Sequence, residues 1–315
     1  MKTDKFKIAS VDIGSNSFLL LLCEANQTGI FRIENDVIEI VRLGQGLSDN
    51  KKFLPEALLR AQKTLERFKV LIDGFQPDII LAKATAAARV AENRLNLLKI
   101  GDDLSMPIEV IPGEQEAKMT YQGVFWGQSS AKADYNLLID IGGGSTELII
   151  GRGLDIEFSI SLPFGAVFLT EKFIKNELVS AEEERNLISE INDKIEKALV
   201  KIAKFPIKNV IAVAGTPTTL VEIIIGKFDA TKINGYALSL EQIRSLEKKL
   251  KESTIAQRIA ELGVPKGRAD ILYAGTVILR KIVEATKTNQ VTVSTRGVRH
   301  GIVADYFLSD PKTIK

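Results

Sequence analysis

"LLIDIGGGSTELII" (residues 137–150) sets an aspartate and three consecutive glycines between two apolar runs. Flexible linkers sit among polar residues, so apolar strands abutting the glycines on both sides argue against a linker. A plain hairpin turn also draws on Gly and Asp. A second copy tips the balance towards a binding loop. "IASVDIGSNSFLLLL" (residues 8–22) repeats the order strand, Asp-Ile-Gly, small hydroxylated residues, strand, and Asp12 and Asp140 stand 128 residues apart (140 − 12 = 128). Two copies of one unit predict two like-folded domains facing each other.

Apolar runs bounded by turn residues alternate with helical patterns along the rest of the chain, the signature of an α/β protein. At 315 residues there is room for two domains, each with its own core. Strands are predicted at 8–12, 18–24, 36–43, 78–84, 108–111, 137–141, 147–151, 156–161, 210–214 and 291–294. The clearest helices are 55–72, opened by Pro55 at a first-turn position, and 180–203, where Ser180 and Glu183 have capping-box spacing. Others are predicted at 114–124, 217–226, 239–251, 268–286 and 298–308. The softest internal segment, "GVFWGQSSAKADYN" (123–136), is the candidate boundary.

Net charge is +2 with an isoelectric point near 8.4, too balanced to argue for a nucleic-acid surface or a basic membrane anchor, so anion binding has to be local. The single cysteine, Cys23, excludes an internal disulfide and a multi-cysteine metal cage. It lies in an apolar run and reads as core. The single histidine, His300, removes histidine-rich metal sites, and beside two arginines it reads as structural. The opening "MKTDKFKIAS" lacks a continuous apolar region, and no apolar stretch approaches the roughly 18 residues of a membrane span. The expectation is a soluble, cytoplasmic protein.

Successive Gly and Ser residues can turn their amides inward as a nest for phosphate oxygens, and glycine lets the main chain approach closely. Gly14, Ser15, Asn16 and Ser17 form one such loop; Gly142, Gly143, Gly144, Ser145 and Thr146 form the other. Neither is a P-loop or a dinucleotide fingerprint, because the next element reads as a strand rather than a helix. Asp12 and Asp140 each close an apolar strand. Two carboxylates about 4 Å apart at an effective dielectric near 20 repel by roughly 4 kcal/mol, and a hard divalent cation such as Mg²⁺ relieves that. Glu147 shares a strand face with Ser145 and can look into the same cleft.

Glu116 lies in "IPGEQEAKMTYQG", in the first turn of a predicted helix after Pro112-Gly113, and is the candidate catalyst. Thr85 and Arg89 follow a strand, and the arginine fork suits phosphate. "VIAVAGTPTTL" (210–220) reads as strand, small-residue loop, helix, so the amides from Gly215 and Thr216 onward can receive an anion. Arg268 stands at a helix start, and Arg296 and Arg299 flank a glycine turn.

Taken together, "VDIGSNSF", "RLGQGL", "ATAAARVAEN", "PGEQEA", "DIGGGSTEL", "SLPFGAV", "AGTPTTL", "RADILYAG" and "VSTRGVRHG" resemble the exopolyphosphatase / guanosine pentaphosphate phosphohydrolase family, in order from residue 8 to about 302. The resemblance implies two ribonuclease H-like domains of the actin, sugar kinase and heat-shock ATPase superfamily with an interdomain cleft, residues 1–125 plus 303–315 forming one and 126–302 the other. It implies hydrolysis of a terminal phosphoanhydride in inorganic polyphosphate or guanosine pentaphosphate, with Glu116 as general base and Asp140 and Glu147 supporting the water. Asp12, Asp140 and Glu147 would hold Mg²⁺, the two glycine loops would hold phosphates, and Arg89 and Arg268 would neutralise the terminal group. It also suggests a homodimer, and neither nucleic acid nor membrane as a partner. The sequence departs from the family pattern at Leu19, Phe168 and His300. The rival readings are an acceptor-dependent kinase or ATPase of the same superfamily and a non-catalytic sensor of guanosine tetraphosphate or polyphosphate.

Overall fold

The computed structural model describes residues 4–128 and 134–309. The chain divides into two compact units, Met1–Ser130 with Gly297–Lys315, and Ala131–Arg296. In chain order the first holds β1 (Phe6–Ile13), β2 (Ser17–Asn26), β3 (Gly29–Ile40), α1 (Leu47–Asn50), α2 (Pro55–Phe75), β4 (Ile79–Ala84), α3 (Ala86–Val90), α4 (Leu95–Asp103), β5 (Ile108–Val110) and α5 (Gly113–Phe125). The second holds β6 (Tyr135–Ile141), β7 (Thr146–Arg152), β8 (Asp155–Leu162), α6 (Ala166–Phe173), α7 (Ala181–Ile202), β9 (Ile207–Val213), α8 (Gly215–Ile225), α9 (Ala230–Ile233), β10 (Tyr236–Ser239), α10 (Leu240–Lys251), α11 (Ile255–Ala260), α12 (Leu272–Ala285) and β11 (Gln290–Val293). The last helix, α13 (Val298–Leu308), belongs to the first unit.

The two sheets repeat one plan. The first runs β3-β2-β1-β4-β5, with an antiparallel meander on one side of β1 and parallel strands on the other. The second runs β8-β7-β6-β9-β11 in the same sense and adds β10 outside β11. The duplication read from two aspartates therefore extends over five strands.

Each core follows from apolar periodicity. In α2 the buried residues Ala57, Ala61, Leu65, Phe68 and Ile72 recur at helical spacing and face the first sheet's cluster of Val11, Phe18, Leu20 and Leu22. In α7 the buried stripe is Leu187, Ile191, Ile195, Ala198 and Ile202, and the Ser180/Glu183 capping box opens the helix as the spacing predicts. Cys23 is fully buried, and burial with the charge of Asp36 pushes its thiol up to about 12. Among the described residues no helix is long and apolar enough to cross a membrane.

The expected return to the first unit at residue 303 falls instead at Gly297. The reason is a backbone contact. A Cβ on Gly301 of α13 would lie 1.7 Å from the carbonyl oxygen of Met119, and one on Gly123 of α5 would lie 2.3 Å from that of Gly297, so α5 and α13 meet main chain to main chain. Val298 and Ile302 then pack with Ile111 and Met119, which carries the whole helix into the first unit. Of the candidate boundary 123–136, residues 123–125 end α5 and residues 129–133 lie outside the described residues, as do 310–315.

Gly301→Ala is expected to overpack this crossing and cost about 1–3 kcal/mol, read as a lower denaturant midpoint. Gly74→Ala is the counterpart: nothing lies within 4 Å of its would-be Cβ, and roughly 0.5–1 kcal/mol of stabilisation is expected from helix propensity.

Candidate functional site

Each glycine hairpin is closed by the same bond. The amide of Gly14 donates to the carbonyl of Ser17 at 3.1 Å, and that of Gly142 to Ser145 at 3.0 Å. Two carbonyls of each turn also accept from a separate stretch of chain, though not at the same two positions. Val41 and Arg42 donate their amides to Asn16 O at 2.9 and 2.8 Å, and Gly44 donates to Ser15 O at 2.8 Å. In the second unit Ala166 donates to Gly142 O at 2.9 Å, and Val167 and Phe168 to Gly143 O at 3.0 Å each. Here the first turn of α6 supplies the donors that would otherwise be orphaned. Gly165 sits so close to the loop that a Cβ would lie 2.5 Å from Gly142 O. Two carbonyls of each turn are tied back in this way, and the amides of Ser15, Asn16, Gly143 and Gly144 donate to no acceptor among the described residues. The segments "RLGQGL" and "SLPFGAV" thus hold these loops.

In the first unit the acids gather around the end of β1. Asp12 is 8% exposed, and its Oδ1 is buried without a hydrogen-bond partner among the described residues. Burial, with the charge of Glu116 added, pushes its carboxyl up to about 7, against the opposing pull of Arg299. Glu116, in the first turn of α5, accepts from Arg89 Nη1 at 2.6 Å, and the same nitrogen donates to Ile111 O at 3.1 Å. Burial raises the Glu116 pKa, while Arg89 and a hydrogen bond from Thr85 pull the other way. Thr85 is 4% exposed, and its hydroxyl is a long 3.5 Å from Ile13 O. The Nε and Nη2 groups of Arg89 donate to no acceptor among the described residues, leaving one edge of the fork open.

Arg299 is a residue the sequence reading did not assign to the site. Its guanidinium grips Asp36 of β3 at 2.7 and 2.8 Å, its carbonyl accepts from the Ser10 hydroxyl at 2.7 Å, and its charge reaches Asp12. The glycine turn at Gly297 was the only sign of it. His300 is 3% exposed in the same first turn.

In the second unit Asp140 stands directly opposite Glu147 across the β6–β7 ladder. Cross-strand partners share a face with Cβ atoms about 4.5–5.5 Å apart, so two acids meet at the loop's foot. In the first hairpin Asp12 pairs with Leu19, so that copy carries one carboxylate where the other carries two. Glu147 accepts from the Ser161 hydroxyl at 2.8 Å.

Three expected phosphate contacts are placed differently. Thr146 is fully buried, and its hydroxyl donates to Phe164 O at 2.8 Å, fixing the strand to the loop before α6. The Thr216 hydroxyl faces α12, where a Cβ on Gly275 would lie 2.4 Å from it, so only its backbone is left for an anion. Arg268 lies under the Gly215 turn, donating to Gly215 O at 3.1 Å and to Thr219 Oγ1 at 2.8 Å. Among the described residues no group of three or more His, Cys, Asp or Glu side chains forms a metal cage.

The profile of the Ppx/GppA phosphatase family matches residues 24–310. The bifunctional 3-dehydroquinate synthase/phosphatase of Fusobacterium nucleatum subsp. nucleatum is 32% identical over 302 residues, covering 92% of this chain and 45% of that protein. The guanosine-5'-triphosphate,3'-diphosphate pyrophosphatase of Pseudoalteromonas atlantica is 29% identical over 296 residues, covering 94% of this chain and 57% of that one. The chain thus spans about half the length of these curated relatives. The crystal structure of an exopolyphosphatase from Cytophaga hutchinsonii superposes with a TM-score of 0.88 at 27% identity, covering 97% of this chain and 98% of that one. With the two α/β units and the paired Asp-Ile-Gly hairpins in place, the chain belongs to the Ppx/GppA phosphatase family.

Proposed function

We propose that this chain hydrolyses the terminal phosphoanhydride bond of inorganic polyphosphate or guanosine pentaphosphate and releases orthophosphate, with Mg²⁺ as cofactor. One observation carries the reading: in each glycine hairpin two carbonyls accept from a separate stretch of chain while amides just beyond a strand-end aspartate have no acceptor among the described residues. The names of the Pseudoalteromonas and Cytophaga relatives support the substrate class.

On this reading each hairpin binds phosphate oxygens of the substrate. The amides of Ser15, Asn16, Gly143 and Gly144 and the α8 terminus at Gly215 hold phosphate oxygens, while the open edge of Arg89 neutralises the terminal group. Glu116 takes a proton from the attacking water. The new P–O bond forms in line as the bridging anhydride bond breaks, and its electron pair leaves with the shortened chain. Glu116 suits this role because burial keeps its basicity high while Arg89 keeps its carboxylate aimed.

The residues present fit a hard divalent ion. Asp140 and Glu147 oppose each other, Asp12 buries an unsatisfied oxygen, and all three are the oxygen donors such an ion takes. Asp140 and Glu147 would hold it on one hairpin, and Asp12 offers a carboxylate of its own on the other. Bound there, Mg²⁺ supplies charge neutralisation at the phosphoryl oxygens.

An orthophosphate-release panel with Mg²⁺ should show turnover on short polyphosphate, long polyphosphate or guanosine pentaphosphate in preference to ATP. Glu116→Gln should lower the rate by roughly 10²- to 10⁴-fold, the usual worth of a general base. A variant as fast as the wild type would remove Glu116 from the mechanism, and ADP formation that needs an acceptor would favour a kinase.

Asp12→Asn should abolish turnover yet stabilise the fold. An acid whose folded pKa is raised stabilises the protein only below its unfolded value, and that contribution is lost as pH climbs towards about 7. The variant should therefore gain on the wild type between pH 4 and 7 and hold its lead above that, by up to about 4 kcal/mol. Equal unfolding midpoints at pH 8 would show that Asp12 carries no burial cost.

A further inference from the structure

Ala214, the residue before α8, has φ 71° and ψ −164°. That region of backbone space is essentially reserved for glycine, and a side chain there is strained. Such a conformation persists only where its surroundings over-determine it. Two devices do so here. The Thr218 hydroxyl donates to Ala214 O at 2.8 Å and reaches Gly215 O at 3.2 Å, and Arg268 Nη1 donates to Gly215 O at 3.1 Å while bonding Thr219 Oγ1 at 2.8 Å. The guanidinium is laid against the turn itself, since a Cβ on Gly215 would lie 3.0 Å from Arg268 Cζ.

Arg268 is in turn held from below. Arg258, 2% exposed, donates from Nη1 to Ala269 O at 2.8 Å and from Nε and Nη2 to Leu250 O at 3.0 and 2.6 Å. A buried arginine thus ties the segment carrying Arg268 to the end of α10.

We infer that Arg268 is a positioning residue: it clamps the strained Ala214–Gly215 turn so that the first amides of α8 keep the orientation substrate requires, acting through the backbone of Gly215. This rests on the hydrolytic reading given above and replaces a direct charge contact to phosphate with a mechanical one.

The two roles separate in a double-mutant cycle. Glycine adopts the Ala214 conformation without strain, so Ala214→Gly removes the need for a clamp but cannot replace a lost charge. Arg268→Met should lower kcat/KM for orthophosphate release at least tenfold in the Ala214 background and no more than twofold in the A214G background. The thermal midpoint should show the same coupling, Arg268→Met costing clearly more with Ala214 than with A214G. Equal losses in both backgrounds would overturn the proposal. Should Arg268→Met fail to fold, Arg268→Lys, which cannot reproduce the flat fork, serves in its place with the same pattern expected. If the wild type releases no orthophosphate from any substrate of the panel, the hydrolytic reading fails, while the midpoint coupling still decides whether the clamp exists.

Discussion

A hairpin can offer its amides to an anion only if its carbonyls are satisfied elsewhere. That constraint organises both units. A two-strand turn alone points donors and acceptors alike at its surroundings, and an oxygen-rich ligand would be repelled by the acceptors. Here a separate stretch of chain comes up behind each turn and donates to its carbonyls: Val41 to Gly44 in the first unit, Ala166 to Phe168 in the second. Short approach distances demand glycine at Gly14, Gly142 and Gly165, where a Cβ would lie 2.8, 3.1 and 2.5 Å from a carbonyl oxygen.

The acids around the loops oppose folding. Asp12 buries an oxygen with nothing to accept, beside a second carboxyl on α5, and Asp140 faces Glu147 across the ladder. A buried carboxylate oxygen without a donor, as at Asp12, weakens a fold. Strain at Ala214 points the same way, and such features gather where a protein is shaped for a ligand more than for itself. The units are unequal in this respect, since Leu19 stands opposite Asp12 where Glu147 stands opposite Asp140.

What was legible in the sequence was whatever repeats or alternates. Asp12 and Asp140, the strands flanking them, the α2 stripe and the Ser180 capping box all follow from local pattern. The third strand was placed at 36–43, whereas β3 runs Gly29–Ile40, because it is an exposed sheet edge on which Asn35 breaks the apolar side of the Phe31, Ile33 and Val37 alternation. Helix α6 escaped notice because it is short and its first turn is spent on loop carbonyls. The early return at Gly297 depends on Gly301 meeting Met119, a contact between residues far apart in sequence. Thr146 and Arg268 were assigned to phosphate from their places in matched motifs. Where a hydroxyl or guanidinium points is decided by neighbours such as Phe164 and Gly215, which no spacing rule names.

The sealed state of Cys23 makes the chain a convenient object for spectroscopy. Its sulfur is inaccessible and stays protonated at any pH used for maleimide coupling. A cysteine introduced on an exposed face of either half would then be the sole reactive thiol, and a pair of them, one per half, would accept a donor and an acceptor dye without first deleting a native side chain. Separation between the halves, with and without phosphate compounds, thereby becomes directly measurable in otherwise unaltered protein.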